Sequence, residues 1–259
     1  MGQSQRSGIA FALMHPITAI IPTYNEADNI VDAIKSVSWA DEIIVVDSFS
    51  ADNTVELARP LSTRILQREY INSASQKNWA IPQAKHEWVF IHDADERVTP
   101  ALRDEIKELL DMPEIRYDAF WIRRQNWFMG KRVRFSGWRR DKVIRLFRRD
   151  KCRYEEKHVH AEITTGGRIG RLRGKINHNT YKSIEHFKSK MERYAEWSAR
   201  DALRRGVKPN AFHFYIKPAF RFFKHFIWQL GFLDGRRGWV IANMYAWYVR
   251  QRYRVMGHL

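Results

Sequence analysis

The stretch Trp88-Val89-Phe90-Ile91-His92-Asp93-Ala94-Asp95-Glu96 contains an apolar run that ends abruptly in two aspartates one residue apart. A short apolar run with aromatic and β-branched residues is typical of a buried strand. Ligands of open α/β sheets bind at the carboxyl ends of the strands, so Asp93 and Asp95 are expected at such an edge. Two neighbouring carboxylates repel each other unless a cation lies between them. The stretch therefore indicates a metal site, with a simple acidic turn as the alternative.

Two further apolar segments precede this stretch, and each ends in polar residues. Ile17–Ile21 leads into Pro22–Glu26, and Glu42–Val46 leads into Asp47. Helix-like spacing of apolar residues follows each segment. This alternation predicts a doubly wound, mainly parallel α/β sheet over residues 16–112. Because the carboxyl ends of parallel strands share one edge, the polar segments should converge on one site.

The composition excludes several classes of protein. The chain has 259 residues, of which 44% are hydrophobic, and this is enough for a substantial core. The single Cys152 excludes an intrachain disulfide and a cysteine-rich zinc site. No apolar run reaches about 18 residues, so no ordinary transmembrane helix is expected. The net charge of +16 indicates an anionic partner, such as nucleic acid, an anionic membrane surface or a phosphorylated substrate.

We predict three regions along the chain. Residues 1–15 form a flexible tail, residues 16–180 a catalytic domain with halves at 16–112 and 113–180, and residues 181–259 a helical C-terminal region. In the second half, alternating polar and apolar residues predict strands. The predicted strands are 118–123, 142–148 and 157–163, the Gly- and Arg-rich residues 166–175 are a predicted loop, and Ser183–Arg204 is a predicted long helix.

The C-terminal region concentrates basic and aromatic residues. From Arg205 to Leu259 there are ten Lys or Arg residues, one acidic residue, and 14 of the 35 aromatic residues, which indicates a separate module. Two amphipathic helices are expected, at about 216–230 and Trp239–Arg254. Basic residues beside aromatic ones suit helices that lie in the interface of an anionic membrane. An aromatic core packed between the two helices is the alternative, and both can hold together.

Four ordered features resemble the family 2 glycosyltransferases, which have the GT-A fold. Ile20–Glu26 is similar to the family's opening P-x-Y-N-E signature, and Val45–Thr54 is similar to its second strand with the nucleoside-binding aspartate. Gln76–Ala80 resembles the basic helix that faces the diphosphate, and Asp93-Ala94-Asp95 resembles the metal-binding DxD motif. One departure is that Phe49 and Asn53 stand where glycines are usual. Because Phe does not readily adopt a positive φ, we expect a local difference in this turn.

Motifs in the second half narrow the resemblance to the lipopolysaccharide-core glucosyltransferase group. They are Arg145–Arg148, Val159-His160-x-Glu162, His178 and Gly231–Gly235. The resemblance implies an enzyme that is cytoplasmic, peripheral on the inner face of the cell membrane, and active on lipid-linked core oligosaccharide. The group usually has Val-His-Glu, whereas Ala161 directly follows His160 here.

The resemblance implies a UDP-sugar donor, and the residue types agree with a nucleotide diphosphate. A divalent cation on Asp95 would neutralise the leaving group as a Lewis acid, and Mg²⁺ or Mn²⁺ suits oxygen ligands. Asp93 would lean toward the ribose or share the metal, Lys77 would add charge at the diphosphate, and Asp47 would accept from the nucleobase. Tyr24 and Asn25 either contact the donor or shape the loop. The predicted nucleotide-sugar-binding residues are Pro22, Tyr24, Asn25, Glu26, Asp47, Lys77 and Asp93, and the predicted metal ligands are Asp95 and Asp93.

Direct displacement also requires a general base for the acceptor hydroxyl. Alternation along the predicted strand places His158, His160 and Glu162 on one face. Glu162 is the first candidate base, with Glu156 behind it, and His160 either orients the base or is the base itself; solvated edge residues are the alternative. Among the basic residues Arg139, Arg140, Arg145 and Arg148, we predict that Arg145 and Arg148 contact phosphates of the acceptor.

These features together predict a metal-dependent, inverting glycosyltransferase. It would transfer a hexose, with glucose expected, from a UDP-sugar to a lipid-linked anionic saccharide such as lipopolysaccharide inner core, at an anionic membrane surface. A sugar nucleotidyltransferase is one alternative, but no Gly-rich phosphate loop with a Lys follows the first strand. A basic nucleic-acid-binding protein is another, but no helix-turn-helix, zinc-finger or RNP pattern supports it, and no specific nucleic acid is expected as a partner.

Overall fold

The computed structural model of the chain describes residues 14–155, 161–181 and 183–257. The first thirteen residues of the predicted tail lie outside these ranges. The candidate base residues Glu156 and His160, together with His158, also lie outside the described residues. Glu162 lies inside them.

The N-terminal half is a parallel sheet in the order β3-β2-β1-β4, as the alternation of the sequence predicted. Alternate residues of each strand pack into cores on opposite faces, so that Ile43 faces one core and Ile44 the other. The register pairs Thr23 with Asp47 and Ile20 with Ile91, which brings the polar strand ends to one edge. The strands are β1 Ile17–Thr23, β2 Glu42–Asp47, β3 Arg64–Gln67 and β4 Trp88–Ile91.

Helices cover both faces of this sheet, and two of them begin at a side-chain cap. The side chain of Thr99 accepts a hydrogen bond from the amide of Leu102, and Pro100 begins α4. Asn72 caps α3 in the same way through the amide of Ser75. The helices are α1 Ala27–Ser36, α2 Thr54–Ala58, α3 Ser73–Ala80 and α4 Pro100–Leu110.

The second half extends the same sheet with mixed pairings. Antiparallel β8 joins β4 to β6, and β11 pairs in parallel with β6 and antiparallel with β5. A separate pair is formed by β9 and β10. The strands are β5 Glu96–Val98, β6 Ala119–Phe128, β7 Lys131–Arg132, β8 Lys142–Arg148, β9 Cys152–Tyr154, β10 Ile163–Thr165 and β11 Ile169–Tyr181.

The prediction of a loop at residues 166–175 was wrong, because most of that segment lies in β11. The glycines that suggested a loop allow close packing instead. A Cβ on Gly170 would lie 2.7 Å from the Phe120 ring, and a Cβ on Gly174 would lie 2.4 Å from the backbone of Leu102.

The C-terminal region is helical, as predicted. In α5, the buried side chains of Phe187, Met191 and Ala195 recur every four residues and pack against α7. Along the chain, α6 lies between α5 and α7, and it has a π-helical turn at each end. No helix in the described ranges is long and apolar enough to cross a membrane. The elements are α5 Ile184–Arg204, α6 Lys217–Phe223 with flanking turns Phe212–Ile216 and Lys224–Trp228, and α7 Arg236–Met256.

Candidate active site

The loops after β1 and β2 are tied together by Asn25. Its amide donates to Ser50 Oγ at 2.9 Å, and its side-chain oxygen accepts from the amide of Ala51 at 2.8 Å. Asn25 has a φ of 53°, a left-handed conformation that Asn tolerates. Beside it, the amide of Glu26 donates to Thr54 Oγ1 at 2.8 Å. Of the two roles open for Asn25, these contacts favour loop shaping, whereas the exposed ring of Tyr24 lines the adjacent cleft.

Asp47 organises the second loop from a fully buried position. Its carboxylate accepts from the amide of Ser50 at 3.0 Å, from the hydroxyl of the same residue at 2.5 Å, and from Gln67 Nε2 at 3.1 Å. Phe49 adopts a φ of 58°, so this turn has the left-handed backbone that a glycine would favour. The sequence predicted that the turn at Phe49 would differ from one that contains glycine, but its backbone has the conformation that a glycine would adopt. A nucleobase contact of Asp47 stays a prediction.

Asp93 lies at the centre of a cluster of buried charges. Lys77 Nζ lies 2.9 Å from Asp93 Oδ1, and the Arg145 guanidinium donates to Asp93 Oδ2 and, at 2.7 Å, to Glu96 Oε1. Burial alone would raise the pKa of Asp93, but the charges of Arg145 and Lys77 outweigh it and hold that pKa well below its usual range. The carboxylate of Asp93 is therefore ionised at neutral pH.

These ion pairs change the roles expected for the two cations. Arg145 is only 4% exposed and compensates two carboxylates, so its guanidinium does not present a free charge to an acceptor phosphate. Arg145 does line the first lobe, and acceptor binding by this residue stays a prediction. Lys77 is also buried, and burial disfavours its charged form, but the Asp93 carboxylate outweighs this effect and raises the pKa of Lys77.

Asp95 faces His178. The sequence analysis named His178 among the family motifs but assigned it no role in the site. Asp95 Oδ2 lies 3.4 Å from His178 Nε2, and His178 Nδ1 lies 2.7 Å from the Asn126 side-chain oxygen. The Asn126 amide nitrogen donates to Asp141, so its oxygen accepts and His178 Nδ1 carries a proton. In neutral His178, Nε2 is thus a bare acceptor that faces a carboxylate. Either a proton or a metal cation between the two atoms stabilises this pair.

The donor chemistry fits a divalent cation at this corner. Burial would raise the pKa of Asp95, but His178 lowers it more, and the pKa is about 2. Asp95, His178 and Asp93 thus provide ionised carboxylates and an imidazole. In the part of the chain that the structure describes, no group of three or more His, Cys, Asp or Glu side chains is placed to hold a metal ion by itself. Phosphate oxygens of a substrate would therefore have to complete the coordination.

A cleft with two connected lobes opens at this corner. The first lobe has a volume of about 970 Å³ and the second about 920 Å³. Asp93, Lys77 and Tyr24 line both lobes, whereas Asp95 and His178 line the second. The remaining predicted donor residues in the second lobe are Pro22 and Glu26, and neither lobe is lined by Asp47 or Asn25.

Two predicted acceptor-side residues lie in different places. Glu162 is exposed and lines the first lobe, where it faces the same space as Asp93 and Trp121. Arg148 lies at the opposite edge of the sheet, because β8 runs antiparallel to β4 and pairs Arg148 with Trp88 at the start of that strand. There it pairs with Glu87 and Asp118. Arg148 lines neither lobe, so the structure does not bring it together with Glu162.

One face of α5 also lines the cleft, and the sequence reasoning missed it. Lys190 and Tyr194 line both lobes, and Arg193 and Trp197 line the first. Their spacing of i, i+3, i+4 and i+7 places them on one helical face. This spacing can be read from the sequence. The direction in which the face points could not be, because it depends on the residues against which the opposite face of α5 packs.

A parallel sheet whose strand ends carry polar loops and an acidic corner is typical of nucleotide-binding α/β enzymes. The profile of "Glycosyl transferase family 2" matches residues 18–173. The chain therefore belongs to glycosyltransferase family 2. Membership argues against the alternatives of a nucleotidyltransferase and of a nucleic-acid-binding protein.

The chain is similar to several known proteins. A lipopolysaccharide core biosynthesis glycosyltransferase, LpsC of Rhizobium meliloti, is 28% identical over 252 residues, covering 92% of this chain and 93% of LpsC. An uncharacterised glycosyltransferase of Rickettsia typhi is 28% identical over 244 residues, covering 90% of this chain and 84% of that protein. Among solved structures, the mannosyltransferase of Pyrobaculum calidifontis with GDP-mannose and Mn²⁺ is 17% identical, with a TM-score of 0.49 over 96% of this chain and 75% of that one.

Proposed function

We propose that the protein is a metal-dependent, inverting glycosyltransferase. It transfers a hexose, with glucose expected, from a UDP-sugar to a lipid-linked anionic saccharide such as lipopolysaccharide inner core. The observation that supports this most directly is the corner formed by Asp93, Asp95 and His178. Its carboxylates have low pKa values and share a cleft with the loops after β1 and β2.

Asp95, His178 and Asp93 would hold a Mg²⁺ or Mn²⁺ ion together with the donor diphosphate. When bound, this ion supplies Lewis-acid neutralisation of the leaving group. Neighbouring residues keep the proposed metal-binding carboxylates ionised and hold the side chains in a fixed orientation. Ion pairs with Lys77 and Arg145 fix the Asp93 carboxylate, and the hydrogen bond from His178 Nδ1 to Asn126 fixes the imidazole ring.

Glu162 is the proposed base. It would take the proton of the acceptor hydroxyl as that oxygen bonds to the anomeric carbon, while the electron pair of the bond to the diphosphate leaves with UDP. Attack from the side opposite the leaving group inverts the anomeric carbon. Support comes from the position of Glu162 in the first lobe, which meets the second lobe at Asp93.

The first lobe suits an anionic saccharide acceptor. Lys142 Nζ lies 4.1 Å from the centroid of the Trp121 ring, so a cation and an aromatic face occur side by side. Both residues line the lobe together with Glu162. The name of LpsC, which covers nearly the whole chain at 28% identity, supports a lipopolysaccharide-related acceptor.

A surface at residues 212–239 supports peripheral binding to the inner face of the cell membrane. Tyr215 and Trp228 are 67% and 65% exposed, which is unusual for large apolar side chains. Basic residues lie among them, including Lys217 and Lys224. Anionic lipid attracts such cations while the aromatic side chains enter the interface. The exposed apolar residues of this surface are Phe212, Tyr215, Ile216, Phe220, Phe223, Ile227, Trp228, Leu230, Phe232, Leu233 and Trp239.

Thermal unfolding with UDP and Mn²⁺ tests the donor assignment. We expect UDP with Mn²⁺ to raise the unfolding temperature, and Asp95→Ala to abolish the metal-dependent part of the rise. Asp150→Ala removes an exposed carboxylate outside the cleft and should keep the full rise. If no UDP ligand, with or without metal, shifts the wild-type unfolding temperature, the donor assignment is wrong.

Vesicle flotation tests the membrane surface. Because α7 packs against α5, deletion of the tail would disrupt the fold, so point variants are needed. Trp228→Ala with Phe220→Ala should lower binding to vesicles that contain anionic lipid. Met112→Ala, an exposed apolar residue after α4, should not. Equal binding of all the proteins would contradict the proposal.

A further inference from the structure

The cleft-facing side of α5 is held by a core on its other side. Phe187, Met191 and Ala195 are buried, and Phe187 and Met191 pack in one cluster with Ile241 of α7. Lys190 and Arg193 lie on the side that lines the cleft. Because the buried side restrains the helix, the two cations project from a rigid element.

The cations at the base of the cleft are already compensated. Lys77 pairs with Asp93, and Arg145 pairs with both Asp93 and Glu96. Arg124 pairs with Asp141 at 2.9 Å. None of these side chains presents an uncompensated charge to a bound anion.

Lys190 and Arg193 differ from these cations. Neither side chain forms an ion pair with a carboxylate of the described ranges, and the contact recorded for Lys190 is with the Tyr181 ring, at 5.3 Å from its centroid. Lys190 lines both lobes, and its charge contributes to the low pKa of Asp95, after the larger effects of burial and of His178. The ammonium group is therefore within electrostatic reach of the corner.

The corner needs such a cation when it holds a diphosphate. Asp93, Asp95 and Glu96 outnumber Lys77 and Arg145, so these five groups have a net negative charge. With a divalent ion bound, the net charge of these groups becomes only slightly positive. A nucleoside diphosphate carries more than one negative charge, so the ion alone does not balance it. Further positive charge is required, because the diphosphate gains negative charge as it leaves.

We propose that Lys190, with Arg193 one helical turn away, binds the diphosphate of the donor from the α5 side of the cleft. This inference rests on the proposed function and adds a binding residue from the C-terminal helical region. An ammonium on a flexible stem suits a phosphate that changes position during the reaction. Lys190 lines both lobes, so its charge would add to that of the metal from the α5 side.

Calorimetric titration of UDP into the full chain at fixed Mn²⁺ tests this role. Lys190→Met keeps the apolar stem and a good helix former but removes the charge. Loss of one charge-assisted contact should raise the Kd for UDP about tenfold or more. Lys190→Arg should keep most of the affinity. Arg200→Met, which removes an exposed cation of α5 that does not line the cleft, should bind UDP like wild type.

Uridine, followed by NMR titration, separates charge from general damage. Its affinity should change less than about twofold in Lys190→Met, since it has no phosphate. The dependence of UDP affinity on salt should also become shallower, because fewer charges are paired. Equal losses for UDP and uridine, or no loss for UDP, would overturn the inference while wild-type UDP binding leaves the proposed donor intact. Absence of UDP binding by wild type would instead reject the donor assignment itself.

Arg193→Met gives a second test on the same face if Lys190→Met proves unstable. A loss of about two- to fivefold in UDP affinity is expected, because Arg193 lines only the first lobe. An unchanged affinity in a folded Arg193→Met protein would remove Arg193 from the proposal.

Discussion

Replacing Arg145 by Met distinguishes a structural cation from an acceptor-binding one. Arg145 is 4% exposed, and its guanidinium donates at 2.7 Å to Glu96, which is fully buried. The same group bonds to Asp93. The substitution preserves the apolar part of the side chain but leaves two carboxylates without their main partner.

The expected destabilisation is large. Removing one partner of a buried ion pair lowers the free energy of unfolding by about 3–5 kcal/mol, because the remaining charge stays desolvated. In a chain of this length, this corresponds to a fall of about 6–20 °C in the unfolding temperature. Glu96→Gln in the same protein removes one of the stranded charges and should recover at least about 1 kcal/mol of the loss.

Urea unfolding of the single and double variants measures both effects, and Arg103→Met is the control. Arg103 and its partner Asp104 are 45% and 56% exposed, so breaking that pair should change stability by about 1 kcal/mol or less. The reasoning is refuted if Arg145→Met is as stable as Arg103→Met. If Arg145→Met also lost acceptor transfer alone, Arg145 would be an acceptor-binding residue after all.

Three further outcomes are expected. Glu162→Gln should lower transfer at least about a hundredfold and leave UDP affinity unchanged, as measured by product formation and calorimetry; near-normal turnover would point to Glu156 or His160. Burial lowers the pKa of His225 from 6.5 to about 4, so its stabilising contribution is complete above pH 6.5 and is lost as the pH falls toward 4. Between pH 7 and pH 4.5, the free energy of unfolding of His225→Gln should therefore fall by about 2 kcal/mol less than that of wild type, as measured by urea unfolding. Equal falls in the two proteins would contradict this. At the left-handed Phe49, Phe49→Gly should be more stable than Phe49→Ala by about 1 kcal/mol, whereas equal stabilities would show that the turn relaxes.

The nucleotide-binding half was largely predictable because its signals are local. Continuous apolar runs followed by polar residues are typical of parallel strands that are buried on both faces, and the structure has such strands at β1, β2 and β4. The prediction failed at residues 166–175, where Gly170 and Gly174 allow close approach of Phe120 and Leu102. A glycine that makes room for a distant neighbour has the same local appearance as a glycine in a turn.

The sequence by itself determined the strand–helix alternation, the acidic corner at Asp93 and Asp95, and the basic, aromatic C-terminal region. These depend on residue type and short spacing, which act within a few residues along the chain. Tertiary structure alone decided that Arg145 compensates Asp93 and Glu96, that His178 faces Asp95, and that Lys190 lines both lobes of the cleft. The charge that a buried group presents depends on its neighbours in space, and those neighbours come from strands and helices far apart in the chain.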